Sequence, residues 1–210
     1  MRPYIHINFA CSLDGKIALE GGIPYKFSNI LDLQRVHKLR SESDAILVGI
    51  NTINNDDPKL VVNPKYFESS NVPDAIVLDS KFRINASARI FNYKRKVVII
   101  TGIGTPDRPL PENSVAEIII RRCDSLRPDM ECLMRNINEM GYTKVLIEGG
   151  KSVLTSFINS EFWDEITIFY SPVFVGDKGI SMIEGIDKVI RTNLGDVERL
   201  GDGFLLTIKR

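Results

Sequence analysis

Short apolar runs rich in Ile and Val recur along the chain, separated by turn residues and by stretches whose apolar positions return every three or four residues. The runs predict strands over residues 4–10, 45–50, 75–79, 96–101, 115–120, 144–148, 165–175 and 204–209. Several are apolar without interruption, the pattern of strands covered on both faces. Between them, Met130, Leu133, Met134, Ile137 and Met140 mark one face of a helix over 129–140, with Asp129 placed to cap its start and Gly141 to end it. A second helix is predicted over 152–159, buried through Val153, Leu154, Phe157 and Ile158, and a third over 29–42. Strands alternating with helices predict an α/β fold with a mainly parallel central sheet flanked by helices. The last two strands lack a helix of comparable length between them, which predicts an antiparallel C-terminal edge. With no repeat and no low-complexity stretch, residues 1–210 read as a single domain.

Composition narrows the function classes. At 43% hydrophobic in 210 residues the chain can bury the core of one large domain. Lys and Arg number 27 against 27 Asp and Glu. A chain of zero formal charge without a basic block has nothing to draw in a nucleic-acid backbone, so an anionic ligand must be held locally. Cys11, Cys123 and Cys132 fit no metal-ligand spacing and read as free thiols in a reducing compartment. His6, Asn8 and Asp14 interrupt any signal-peptide core, and no apolar run approaches a membrane span. The expectation is a cytoplasmic protein with no membrane or nucleic-acid partner and no bound metal.

The sharpest local signal is the stretch 144–156, KVLIEGGKSVLTS, where a strand turns at Gly149-Gly150 and opens a helix. Adjacent glycines and the free N–H groups of a first helical turn make an anion site suited to a pyrophosphate; a tight turn that only needs positive φ gives the same pattern. Glu148, at the strand's carboxyl end, points to where open α/β sheets bind ligands. The competing TGIGT at 101–105 is not a dinucleotide fingerprint, because Asp107 replaces the third small residue and Pro106 and Pro109 oppose a helix.

Further candidates stand at other strand ends. After the strand at 45–50, the paired carboxylates Asp56 and Asp57 suit ribose hydroxyls or acid/base work, although Asx residues before Pro58 are also ordinary cap chemistry. Asp57, beside the proline, fits the cap better. On the helix over 29–42, a turn of ~100° per residue puts Arg40 about 20° from Leu33, on the face of Ile30 and Val36. It is either a guanidinium fixed for bidentate phosphate binding or a snorkelling helix-end residue. His37 on that face reads as structural. The segment 79–83, DSKFR, brings a hydroxyl and two cations together, which suits a small phosphate such as the 2′-phosphate of NADP or a solvated loop. With only His6 and His37 and no nucleophile signature, neither a hydrolytic triad nor a histidine metal site is supported.

Taken in order, SLDGK at 12–16, the Arg40 helix, Val48-Gly49 with Thr52 and Asp56-Asp57-Pro58, Asp79-Ser80 and LIEGG at 146–150 resemble the riboflavin-biosynthesis pyrimidine reductases. The resemblance runs from about residue 5 to residue 176. It implies a dihydrofolate reductase-like fold, a homodimer, and NADPH-dependent reduction of a ribosylamino-pyrimidinone 5′-phosphate to its ribitylamino form, with NADH a possible second donor. The zinc deaminase elements H-x-E and P-C-x-x-C that bacterial members carry are missing, which implies the stand-alone archaeal or fungal type, acting on 2,5-diamino-6-ribosylamino-4(3H)-pyrimidinone 5′-phosphate. By position the resemblance assigns Ala10, Thr52, Asp56, Ser80, Gly150, Lys151, Ser152, Val153, Leu154, Thr155 and Ser156 to the cofactor, and Arg40, Leu60 and Glu148 to the substrate. Some relatives have an arginine where this chain has Asn63, which leaves Arg40, with Lys59 or Lys65, for the substrate phosphate. Asp14, Lys16 and Glu148 are all conceivable proton donors, and the sequence does not choose among them. The rival readings are a pterin reductase of the same fold and a non-catalytic nucleotide-binding protein.

Overall fold

The computed structural model describes residues 2–186 and 188–210. In chain order the elements are β1 (Tyr4–Ser12), β2 (Lys16–Ala18), α1 (Ile30–Ser41), β3 (Ala45–Gly49), α2 (Ile50–Asp56), β4 (Asp74–Leu78), β5 (Lys96–Thr101), β6 (Glu117–Arg122), α3 (Met130–Glu139), β7 (Lys144–Ile147), α4 (Lys151–Asn159), β8 (Glu165–Ser171), β9 (Ile180–Ser181), β10 (Asn193–Leu200) and β11 (Gly203–Lys209). Nine strands form one sheet in the order β10-β11-β8-β1-β7-β3-β4-β5-β6, and β2 pairs with β9 apart from it. From β8 to β6 every neighbouring pair is parallel. In this sheet β11 on β8 and β10 on β11 run antiparallel, which is the expected C-terminal edge.

Strand alternation sends side chains to two cores. Ile5, Ile7, Leu47, Val145 and Ile147 pack with Leu133 and Ile137 of α3 and Leu154 and Phe157 of α4. Their neighbours Ile46, Val48, Val97, Ile99 and Leu146 pack on the other face with Ile50 and Ile53 of α2 and with Leu60, Phe82 and Phe91. One stretch of that second face is polar instead. His6 and Asn8 of β1 and Thr167 of β8 are buried there, with Asn8 opposite Thr167 in register.

Helix α3 has the expected punctuation: Asp129 accepts the Cys132 N–H at 2.8 Å, and Gly141 follows at φ 74°. Other boundaries differ for local reasons. β8 stops at Ser171 because Pro172 cannot donate to a ladder. Ile50, read as strand, opens α2, a helix of poor intrinsic propensity that forms because Ile50 and Ile53 dock on the sheet. The edge strand β10 carries Asp196, Glu198 and Arg199 and is mostly exposed, so it shows little apolar periodicity.

The reading of three free thiols is corrected. Cys123, just after β6, is disulfide-bonded to Cys132 in the first turn of α3, with Cα atoms 5.8 Å apart, and Cys11 alone is free. The fold brings the end of β6 back to the start of α3, so a spacing unsuited to a metal suits a disulfide. Cys11 is buried in β1, and burial pushes its thiol up to about 12.

Candidate active site

The parallel strands β1, β3, β4 and β7 all end on one side of the sheet, and a cleft of about 870 Å³ opens across those carboxyl ends. Its centre is the Gly149-Gly150 turn between β7 and α4. Gly150 is the N-cap of α4 at φ 86°, and no side chain caps the helix, so its first N–H groups are left for a ligand. A Cβ on Gly150 would stand 3.2 Å from Thr52 Oγ1 across the turn. Lys151, Ser152, Val153, Leu154 and Ser156 line the cleft, as do Thr52 and Asp56 of α2 and Ala10 at the end of β1. Desolvation at this wall raises the Asp56 carboxyl above its ordinary range.

Three expected site residues stand elsewhere or differently. Thr155 is not in the lining; α4 turns it away from the cleft, where its hydroxyl accepts the Glu184 N–H at 3.1 Å. Leu60 is 2% exposed in the core with Phe82 and Phe91, and its carbonyl accepts from Arg95 Nη1 at 2.6 Å, so its side chain does not face the cleft. Arg40 is at the cleft and neither snorkels nor holds its fork open. Its Nε donates to Glu148 Oε1 at 2.7 Å and its Nη2 to Oε2 at 2.6 Å, with the two side chains only 17% and 10% exposed. Burial opposes the Arg40 charge, and Glu148 more than offsets it. Asp57, by contrast, is the cap expected of it: it is left-handed at φ 40° and its Oδ1 accepts the Arg89 N–H.

At one end the cleft is cationic. The turn after β4 is pinned by buried Asp79, whose Oδ2 accepts the Ile84 N–H at 2.8 Å, and this presents Ser80, Lys81 and Arg83 to the cleft. Arg127 and Pro128, which sequence reasoning missed, join them. They belong to the loop closed by Cys123–Cys132, and that loop lies on Gly102, where a Cβ would meet the Leu126 carbonyl at 2.1 Å. The TGIGT glycine is therefore a packing device and not a phosphate loop.

The other end is walled by α1, whose Asp32, Leu33, Val36 and Arg40 line it together with Asn8. Asp32 was also missed, since an acid in a first helical turn resembles ordinary dipole chemistry. It is 0% exposed, and its Oδ1 accepts from Arg35 Nε at 3.0 Å and Nη2 at 2.6 Å. Arg35 continues to Asn8 Oδ1 at 2.7 Å, and Thr167 links Asn8 to His6 at 2.9 and 2.8 Å. His37 is structural: its Nδ1 accepts the Asn63 N–H and its ring stacks on Tyr66. Of the conceivable proton donors only Glu148 lines the cleft. Asp14 accepts from the Ser12 hydroxyl and from the Val175 and Gly176 N–H groups, which hold it down to about 2, and Lys16 donates to Ser181.

The family model described as the RibD C-terminal domain matches residues 3–206. The chain belongs to the RibD C-terminal domain family. Among relatives of this RibD-type chain, the 2,5-diamino-6-ribosylamino-4(3H)-pyrimidinone 5′-phosphate reductase of Archaeoglobus fulgidus is 32% identical, covering 100% of this chain and 99% of its own. The protein of that name from Methanothermobacter thermautotrophicus is 33% identical over 98% and 97%. The fold is shared with RibD of Acinetobacter baumannii, at TM-score 0.82 and 23% identity over 99% of this chain and 58% of that one. It is shared too with the riboflavin biosynthesis reductase Rib7 of Saccharomyces cerevisiae, at TM-score 0.76 and 19% identity over 99% and 90%.

Proposed function

We propose that this RibD-type protein reduces the ribosylamino side chain of 2,5-diamino-6-ribosylamino-4(3H)-pyrimidinone 5′-phosphate to the ribitylamino form, with NADPH as the hydride donor. The observation that carries the reading is a single cleft joining an uncapped helix N-terminus and a cationic end to a second, buried wall on α1. The residues present suit a dinucleotide. The N–H groups at the start of α4 fit a pyrophosphate, Thr52 and Asp56 fit ribose hydroxyls, and Ser80, Lys81 and Arg83 fit a 2′-phosphate. When bound, NADPH supplies the hydride that C1′ of the ring-opened ribosylamine accepts.

The protein's own task is alignment. The small side chain of Ala10 leaves space for a flat ring against the end of β1, and α1 faces the second reactant. Glu148 fixes Arg40 through two donors, and Val61 O takes a third at 3.2 Å, so Arg40 offers a substrate oxygen only its remaining N–H groups. A homodimeric, cytoplasmic enzyme is part of this reading, and sedimentation at micromolar concentration tests the dimer.

The deciding assay follows NADPH absorbance with the diamino pyrimidine, its deaminated counterpart and dihydrofolate side by side. Oxidation with the diamino compound and a ribitylamino product by mass spectrometry is the expected result. Turnover of dihydrofolate alone would replace this reading with the pterin one, and NADPH binding without any turnover would leave a nucleotide-binding protein.

A further inference from the structure

Most charged groups at the α1 end of the cleft have partners, and one oxygen does not. Asp32 Oδ2 is buried and makes no hydrogen bond, although Asp32 lines the cleft. Its partner oxygen Oδ1 is fixed by two donors from Arg35, and Arg35 is itself held by Asn8 Oδ1 at 2.7 Å and Thr167 Oγ1 at 3.3 Å. Asp32 N–H is fixed as well, donating to the Asn29 cap at 2.9 Å. Two donors from Arg35 therefore hold the carboxylate through Oδ1 alone, and a buried acceptor left without a donor is costly.

We propose that Asp32 Oδ2 is the group that reads the pyrimidine, accepting from the amino-substituted edge of a 2-amino-4(3H)-pyrimidinone, and that it makes this enzyme prefer the substrate before deamination. The inference rests on the functional reading above and names a specificity residue for it. The edge of the diamino compound presents two adjacent donors, the exocyclic C2 amine and N3–H. Deamination replaces the amine with a carbonyl oxygen. An ionised carboxylate only accepts, so the deaminated ring sets two acceptors against each other in a dry wall. A site built around a hydrogen bond rejects the analogue that lacks it far more strongly than an apolar pocket rejects a change of size. The placement along α1 agrees: eight residues at 1.5 Å each put Asp32 about 12 Å from Arg40 along the helix axis, room for a ring at one end and the sugar phosphate toward the other.

The test is kcat/KM for the diamino and deaminated substrates, on the wild-type protein and on Asp32→Asn, with NADPH affinity measured separately by fluorescence. The wild type is expected to favour the diamino compound by tenfold or more. Asp32→Asn keeps an oxygen for Arg35 and turns the free acceptor into an amide donor, so the preference should collapse to near one or invert, with NADPH affinity within about threefold of wild type. A wild type without preference overturns the assignment with no variant needed. So does an equal loss on both substrates in Asp32→Asn, which would make Asp32 a proton donor or a packing group. If neither pyrimidine supports NADPH oxidation, the functional reading falls and this inference falls with it; activity retained with no preference removes Asp32 alone.

Discussion

The two ends of the cleft handle charge in opposite ways. At the Ser80 end, Lys81, Arg83 and Arg127 stand on loops as exposed cations lining the cleft, with Arg83 held, loosely, by Asp79 Oδ1 at 3.8 Å. At the α1 end, buried Asp32 pairs with Arg35 and Arg40 with Glu148, the last three partly buried, until a single buried acceptor remains. Exposed charges are screened and attract any phosphate that fits, whereas a dry, locked network discriminates through the one hydrogen bond it leaves unmade. The difference suggests that the first end reads charge and the second reads the pattern of donors and acceptors.

The most damaging change should come at the α1 end and show as stability. Arg40→Ala leaves Glu148 buried without its cation, at a cost of about 3–5 kcal/mol. For a domain of this size that lowers Tm by roughly 2–4 °C per kcal/mol. Pairing it with Glu148→Gln should restore much of the loss, which calorimetry on both variants will show; an Arg40→Ala protein as stable as wild type would mean that the pair is not closed in solution.

Next is the centre of the cleft. Gly150→Val demands a left-handed backbone from a β-branched residue and crowds Thr52, so NADPH affinity should fall about 100-fold or more in a protein that still shows a native circular dichroism spectrum. Unchanged affinity would return the turn to a purely structural role.

Acid should act on the α1 end first. Burial lowers His6 and His37 from 6.5 to about 4, with the Arg40 charge adding to the shift of His37. A folded pKa below the unfolded one means the contribution to stability is present above pH 6.5 and lost as pH falls toward 4. The slope is up to about 1.4 kcal/mol per pH unit for each histidine. Urea titrations at pH 7 and 5.5 should differ accordingly, and His37→Gln should flatten that difference.

The smallest effect belongs to the cationic end. Removing one exposed cation with Arg127→Ala should weaken NADPH about tenfold and leave NADH nearly untouched, since only NADPH carries the 2′-phosphate. Equal losses for both cofactors would move Arg127 away from that phosphate.

What the sequence determined by itself is whatever depends on neighbours along the chain. The alternation of apolar runs and helical stripes made the parallel sheet legible, Asp129 and Gly141 marked the ends of α3, and Gly149-Gly150 marked a turn open to an anion, because caps, turns and periodicity are local. The order of motifs pointed to the family for the same reason. The tertiary structure alone decided which polar groups meet. Arg40 and Glu148 are 108 residues apart in sequence, and nothing local says that the guanidinium fork closes on that carboxylate. In sequence Asp32 is one acid in a first helical turn; Asn8 and Thr167, brought together by parallel pairing of β1 and β8, hold Arg35 against one of its oxygens and leave the other free. Cys123 and Cys132 became a pair, and Arg127 a cleft residue, only once the loop between β6 and α3 folded back on itself. Burial turns such meetings into strong energies, and burial is a property of the packed chain that no window of the sequence contains.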